Sequence, residues 1–354
     1  MPEGHTLHRL ARQVDRLFVG ELWRVSSPQG RFDAGAARLD GRVPEGAQAW
    51  GKHLFVHVGA DIWQIHLGLY GAFSFRGDDE FTQGETAATL GAPRAAAQQL
   101  EPRYDDADWI IPEPPQGAVR ARIHSRHGWA DLRGPATCAV LTAVDYEKVI
   151  RRLGPDPLRQ PENGSDPQAC EQFIRNLSRR RVSIGAALMD QAVIAGVGNI
   201  YRAESLFLEQ ISPDAASHTL SRAQAEALWA RLTQQLRDGV AEGVIRTLRT
   251  DGTDARAGLI HDYHAGRLRE VERRHHVYQH QGTPCLRCGE TIAMRTLQGR
   301  RFALFEELFD PARGMPVVVV TFIALLELAR EHLLEVTQAE AFAPIYVRLA
   351  YQPA

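Results

Sequence analysis

Apolar positions recur at helical spacing over residues 3–18. Leu7, Leu10, Ala11, Val14, Leu17 and Phe18 share one face, and Arg9, Arg12 and Arg16 lie on the others. The pattern predicts an amphipathic helix that holds the first residues at its N-terminal end. Over 20–75 the period falls to two, as in Leu54-Phe55-Val56-His57-Val58 and Phe73-Ser74-Phe75, with glycines between the runs. This part reads as short strands. Residues 77–117 lose periodicity and are rich in Ala, Gly, Pro, Asp and Gln, which predicts an inserted, mobile loop. Strands resume near Ala118–Ile123 and Gly128–Leu132.

Helical spacing returns over 145–270, after a boundary marked by Gly154-Pro155-Asp156-Pro157. One helix is expected to reach about Asp190. Ala195-Gly196-Val197-Gly198-Asn199 then breaks the pattern, and a second helix is expected from Asn199, its cap, or Ile200. Such a break lets backbone approach a phosphate, with the N–H groups of the new helix aimed at an anion.

The net charge of -2 hides an asymmetry. Residues 302–354 hold seven acids (Glu306, Glu307, Asp310, Glu327, Glu331, Glu335, Glu340) against Arg313, Arg330 and Arg348. That segment is therefore -4 and the remainder +2. Arg120, Arg122, Arg126 and Arg133 make one stretch locally basic, as a polyanion site or as an exposed strand face. Four cysteines, two of them in one C-x-x-C, make no disulfide framework and fit a reducing, cytoplasmic compartment. No apolar leader is visible at the N-terminus. The most apolar run, Met315 to Ala329, is interrupted by Glu327 and too short to span a bilayer.

The candidate chemistry starts at the first residues. Removal of Met1 would leave Pro2 with a free secondary amine, whose pKa of roughly 7.7–8 leaves much of it nucleophilic at neutral pH. Glu3 adds a carboxyl suited to proton transfer. The alternative is a plain helix start, where Pro and Glu are both favoured. Lys52, in the Gly51-Lys52-His53 turn, is either a solvated turn lysine or aims at a phosphate or leaving group. Leu69-Tyr70 between Gly68 and Gly71 is an unusual turn composition, packed inward or serving as a wedge into a base stack. Cys285 and Cys288 are half of a four-ligand zinc site. No cysteine follows them, so His275, His276 or His280 would have to complete the set.

Together these pieces, in this order, resemble the formamidopyrimidine-DNA glycosylase/endonuclease VIII family, and the endonuclease VIII branch more closely. The resemblance covers about residues 1–301 apart from the 77–117 insertion. It implies an α+β fold: an N-terminal helix plus a two-layer β-sandwich (1–145), then an all-α helix–two-turn–helix DNA-binding domain (146–272) and a zinc-finger hairpin (273–301). It implies a bifunctional glycosylase and abasic-site lyase of base excision repair that acts as a monomer on damaged double-stranded DNA of the nucleoid. Oxidised pyrimidines would be its substrates, and the strand would be cleaved by β,δ-elimination. By the same resemblance, Pro2 is the Schiff-base nucleophile, and Glu3 the proton donor that helps open the sugar. Lys52 is a proton donor and phosphate contact, and Leu69 and Tyr70 fill the gap left by the flipped nucleotide. Asn199 and Arg300, the latter at the finger tip, hold the neighbouring phosphate, and Arg133 is a further DNA contact. Zinc would sit on Cys285 and Cys288, in a site this chain leaves incomplete.

Past Arg301 the pattern changes. Residues 302–354 resemble the C-terminal winged helix of the bacterial kleisin, segregation and condensation protein A. Phe322, Leu325, Leu326, Ala329 and Leu333 form a helix stripe, and Leu334–Thr337 would pair with Ile345–Leu349. That resemblance implies docking on the head of an SMC ATPase. The junction cuts inside the finger, by gene fusion, by a deletion joining two reading frames, or by an assembly artefact. Two functional readings follow: a glycosylase with intact covalent chemistry and a weakened DNA grip, or a non-catalytic adaptor whose tail binds an SMC head.

Overall fold

A computed structural model describes residues 2–83, 87–91, 101–159, 166–248, 259–264, 267–293, 302–304, 323, 325–329, 334–338 and 345–349. It divides into two units, Met1–Met294 and Arg295–Ala354.

The first unit begins with helix α1 (Gly4–Phe18). Its stripe behaves as the spacing requires: Leu7, Leu10, Ala11, Val14 and Phe18 are buried, and Leu17 is partly so. Burying each of the larger side chains contributes about 1.5–3 kcal/mol. After α1 come β1 (Arg24–Ser26), α2 (Asp33–Leu39), β2 (Gly46–Trp50), β3 (His53–Val58), β4 (Asp61–His66) and β5 (Ala72–Gly77). Next are α3 (Asp79–Thr82), β6 (Thr89–Gly91), β7 (Val119–His124), β8 (Gly128–Arg133) and β9 (Thr137–Leu141). These strands make two antiparallel sheets, in the orders β1-β7-β8-β5-β6 and β2-β3-β4-β9. They form a sandwich whose core, with Trp23, Trp63, Phe73 and Ile123, is continuous with the stripe of α1. The register of β3 on β4 sets His53 opposite His66, which puts the Lys52 turn and the Leu69-Tyr70 tip at the same end of the hairpin.

The described parts of 77–117 carry more regular structure than their lack of periodicity implied. Asp78 caps α3, β6 pairs with β5, Tyr104 bridges Ile110, and Trp109 and Ile110 are buried. The elements are three or four residues long, so no repeating pattern could mark them.

The helical part consists of α4 (Ala143–Ile150), α5 (Pro167–Ser178), α6 (Ile184–Ala187), α7 (Asn199–Leu208) and α8 (Arg222–Glu242). It has its own core around Phe173, Tyr201, Leu228, Trp229 and Leu232. Three expectations need correction. Helix α6 ends at Ala187, well before Asp190. The N-cap of α7 is Gly198, with Asn199 as its first helical residue. The helical pattern does not run to 270: β10 (Leu259–His264) and β11 (Arg267–Glu272) pair as an antiparallel hairpin.

In the second unit β12 (Phe302–Leu304), β13 (Leu334–Gln338) and β14 (Ile345–Leu349) form a sheet in the order β12-β14-β13. The expected pairing of 334–337 with 345–349 is present, with Leu334 opposite Leu349. Phe302–Leu304 joins the same sheet on the other side of β14. Residues 325–329 are helical, and Ile323, Leu326 and Leu328 are exposed. Among the described residues no helix is long and apolar enough to cross a membrane.

Candidate active site at the N-terminus

Three backbone segments meet at the start of α1. The Gly4 N–H donates to the Gly196 carbonyl at 2.8 Å, and a Cβ on Gly4 would lie 2.8 Å from the Gly196 Cα. A Cβ on Gly51 would lie 2.9 Å from the Gly196 nitrogen. Gly196 itself sits at φ +96, a conformation that only glycine adopts without strain. The glycine break therefore brings Pro2-Glu3, the Lys52 turn and the first turn of α7 together.

Glu3 is fully buried among them. One carboxylate oxygen accepts the Gly198 N–H at 2.9 Å and the other accepts the Ile200 N–H at 2.8 Å. A hydrogen bond of this kind contributes about 0.5–1.5 kcal/mol net when the acceptor is neutral, and more when it is ionised. The helix N-terminus read from sequence as an anion site is thus filled by a carboxyl group from this chain. Gly198 makes room for it, because a Cβ there would lie 2.5 Å from the Glu3 carboxyl carbon. Burial pushes the Glu3 pKa up, against the opposing pull of Lys52 and of the N–H groups of Ile200, Gly198 and Tyr201. Lys52 is pushed down by burial and by Arg202, with Glu3 acting the other way. Pro2 is buried beside this pair. Both shifts run toward neutrality: the carboxyl holds its proton to higher pH than usual and the ammonium gives its proton up more readily, as suits two proton donors.

Beside Lys52, the His53 and His66 rings face each other with centroids 4.8 Å apart. The Gly68 N–H donates to His66 Nδ1 at 3.1 Å, and Gln64 donates to His53 Nδ1 at 3.2 Å. Burial, reinforced by neighbouring charges, brings His53 down to about 3 and His66 to about 4. The tip that follows is closed by the Gly71 N–H on the Leu67 carbonyl at 2.9 Å, and Leu69 and Tyr70 stay half-buried. Asn199 is half-buried at the first turn of α7. His53, His66 and Arg202 escaped the sequence reading. Their visible signal was position: one beside Lys52, one before the tip, and one in the turn that starts at Asn199.

Arg133 is placed differently from the rest. Its backbone pairs with Ala72, two residues past Tyr70. Its guanidinium is committed to Ser74 Oγ at 2.6 Å, Asp131 at 2.8 Å and the Gln116 carbonyl at 3.0 Å. Asp131 also takes a bidentate Arg122 pair, at 2.6 and 2.9 Å. Arg133 is thus part of a sheet-face network. Arg300 lies outside the described residues.

The cysteine pair and its histidine neighbours are the candidate zinc donors. Cys285 is buried and Cys288 exposed, and Cys138 and Cys170 lie in β9 and α5. His275 donates to the Ile245 carbonyl at 3.1 Å, and the His276 ring packs on Phe207 at 5.4 Å. Among the described residues no three His, Cys, Asp or Glu side chains converge as a metal site. The donors among the described residues therefore do not make the tetrahedral group that a structural zinc site needs.

Known proteins are similar to this chain over most of its length. Residues 1–111 match the formamidopyrimidine-DNA glycosylase N-terminal domain, and 153–250 its H2TH domain. The protein called Endonuclease 8 1 of Mycobacterium tuberculosis is 38% identical over 301 residues, which is 85% of this chain and 96% of the relative. The formamidopyrimidine-DNA glycosylase of Rhodopseudomonas palustris is 30% identical over 272 residues, covering 75% and 82%. Among solved structures, wild-type Lactococcus lactis Fpg (MutM) with N7-benzyl-Fapy-dG DNA has a TM-score of 0.59 at 18% identity, covering 84% of this chain and 96% of that one. The same protein with abasic-site DNA has a TM-score of 0.57 at 19% identity, with the same coverage. These structural likenesses speak for the fold, and the sequence relatives speak for the lineage. The chain belongs to the formamidopyrimidine-DNA glycosylase/endonuclease VIII family, the DNA glycosylase/AP lyases of base excision repair.

Proposed function

We propose that this chain removes oxidised pyrimidines from duplex DNA and cleaves the strand through a Pro2 Schiff base. Removal of Met1 frees the Pro2 amine. The amine attacks C1′ of a flipped nucleotide, the bond to the base breaks with its electron pair leaving on the base, and the ammonium so formed gives its N–H proton to water. Lys52 supplies a proton to the departing base. Glu3 gives its proton to the ring oxygen as the C1′–O4′ bond opens, leaving an iminium at C1′. The cation acidifies C2′–H; water takes that proton, the C3′–O bond breaks with its electron pair on oxygen, and the 3′ phosphate departs. A second elimination takes the C4′ proton and breaks the C5′–O bond. Water then hydrolyses the iminium and restores the amine.

The observation that carries this reading is the buried Glu3 carboxyl, raised in pKa and fixed by Gly198 and Ile200 directly beside Pro2. A helix start would leave such a residue solvated. Extrusion of the nucleotide costs a few kcal/mol, which the Leu69-Tyr70 tip offsets as a wedge. Asn199 holds the adjacent phosphate, and Arg300, which the resemblance puts at the finger tip, grips it less firmly because the finger lacks its second cysteine pair. Oxidised pyrimidines follow from the resemblance to the endonuclease VIII branch. Borohydride reduction on a duplex with one oxidised pyrimidine tests the reading. A covalent protein–DNA adduct is expected from the processed chain and none from a chain that keeps Met1; no adduct in either case refutes it.

A second reading concerns the tail. Its separate sheet and the exposed Ile323, Leu326 and Leu328 favour a docking module for an SMC ATPase head. Capture of a purified SMC head by the full chain, and its loss on Leu326→Asp, would support that reading; no capture would dismiss it.

A further inference from the structure

The linker between the two domains is more than a boundary. Its carboxylate, Asp156, is 4% exposed. Oδ1 accepts the Leu158 N–H at 2.8 Å, which alone would make it an ordinary helix cap. Oδ2 does something else. It accepts the Gly51 N–H at 2.7 Å and the His8 Nε2–H at 2.8 Å. Gly51 is the residue before Lys52, at φ +57, in the turn between β2 and β3. His8 lies on α1, one turn past Glu3 and Gly4.

The neighbours of Asp156 brace the same turn. The Gly154 carbonyl accepts from the Trp50 indole at 3.1 Å, and the Arg159 guanidinium lies 4.6 Å over that ring. Arg159 also donates to the Ala49 carbonyl at 3.0 Å. On the opposite side the Gly154 N–H donates to Gln191 at 2.8 Å, and the Pro155 carbonyl accepts from Ala195 at 3.0 Å. The linker is therefore wedged between the Lys52 turn and the glycine break that holds Glu3.

We infer that Asp156 is the positioning residue for Lys52: through Gly51 and His8 it fixes the catalytic turn against the linker and α1. The inference rests on the role given to Lys52 under Proposed function. Burying a carboxylate is costly unless its acceptor sites are filled. Here three donors from three separate segments fill them, so the segments cannot move apart without stranding the charge. A turn residue with positive φ and a single anchoring bond would otherwise leave the lysine free to swing. A misplacement of about 1 Å is enough to cost on the order of a hundredfold in a proton transfer.

The chemistry offers a readout that loss of structure would not mimic. Lys52 serves the departing base, and a pre-formed abasic site has none. Asp156→Ala is expected to slow base removal, in single turnovers on a duplex with one oxidised pyrimidine, by about tenfold or more. Opening of an abasic site in the same duplex should fall by much less. Amide exchange at Gly51 should accelerate in parallel. If Asp156→Ala fails to fold, Asp156→Asn, the same shape with one acceptor oxygen fewer, is read the same way. Unchanged exchange at Gly51 overturns the inference whatever the activity. So does an equal loss of both chemical steps, or base removal at the unaltered rate. If the unaltered protein removed no base, the functional reading would fall, and exchange at Gly51 would still decide whether Asp156 holds the turn.

Discussion

At the residue scale, the proposed chemistry turns on Gly198 and Glu3. The sequence reading assigned the glycines before α7 to an approaching phosphate. In the structure that space is occupied by the Glu3 carboxyl, so Gly198→Ala places a methyl 2.5 Å from its carbon. Overpacking of this kind costs about 1–3 kcal/mol of stability. The larger effect is expected on base removal, down by about a hundredfold as the carboxyl is displaced from its two N–H partners. Thermal melting and single-turnover rates on one preparation separate the two. On the proposed mechanism Glu3 also sets a pH limb: its protonated form would be the donor, and its pKa is raised by burial. Base removal should therefore hold through the ordinary carboxylate range and decline only as pH rises through the raised value. Glu3→Gln should remove that limb and slow base removal by about 10²-fold or more. A rate–pH profile measures both. Residues 1–6 alone suggested Glu3 as a group for proton transfer, but not its burial or its partners, because the donors to Glu3 lie almost two hundred positions away in the chain.

At the element scale, periodicity served where elements were long enough to repeat. The stripe of α1 and the alternation at Leu54–Val58 were both readable, and both lie in the core. Strand β6 has three residues and owes its existence to pairing with β5, which no local pattern encodes. The β10–β11 hairpin was read as helix because its charged residues obscure its alternation. The register of β3 on β4 was invisible as well, and it carries a prediction. His5 and His53 are held at about 3 and His66 at about 4, chiefly by burial. Unfolded histidine titrates near 6.5. Between these values the unfolded chain binds more protons, so stability rises with pH there. It is fully present above about 6.5 and is lost as pH falls toward 4. Glu3 acts in the opposite sense, since its folded pKa is raised, but it is one group against three. The melting temperature should fall steadily from pH 6.5 to 4, and His53→Gln with His66→Gln should flatten that slope. An unchanged slope in the double variant would show that these rings are not the groups that titrate.

At the scale of the whole molecule, residues 273–287, which the family resemblance makes the first arm of a zinc finger, are held by a carboxylate. Glu204, on α7 and fully buried, accepts the N–H groups of His276, Val277 and Tyr278 at 2.7 to 2.8 Å and the Thr247 hydroxyl at 2.6 Å. Arg287, between the two cysteines, donates to the Phe207 carbonyl at 3.0 Å and lies 4.4 Å over that ring. Arg273 ties the strand to the carbonyls of His275 and His276. These bonds join 273–287 to α7, the helix that starts at the active site, and none of them requires a metal. A structural zinc site supplies about 10–16 kcal/mol of folding energy, so a finger that depended on one would collapse on chelation. Here dialysis against a chelator should leave the melting temperature and the affinity for a duplex with an uncleavable abasic analogue unchanged. Glu204→Gln keeps the shape but not the four acceptor contacts, and each backbone N–H left unpaired costs about 1–3 kcal/mol. It should lower the melting temperature by about 5 °C or more and weaken binding of the same duplex. The reverse pattern, collapse on chelation with Glu204→Gln neutral, would mean that a metal holds the arm after all.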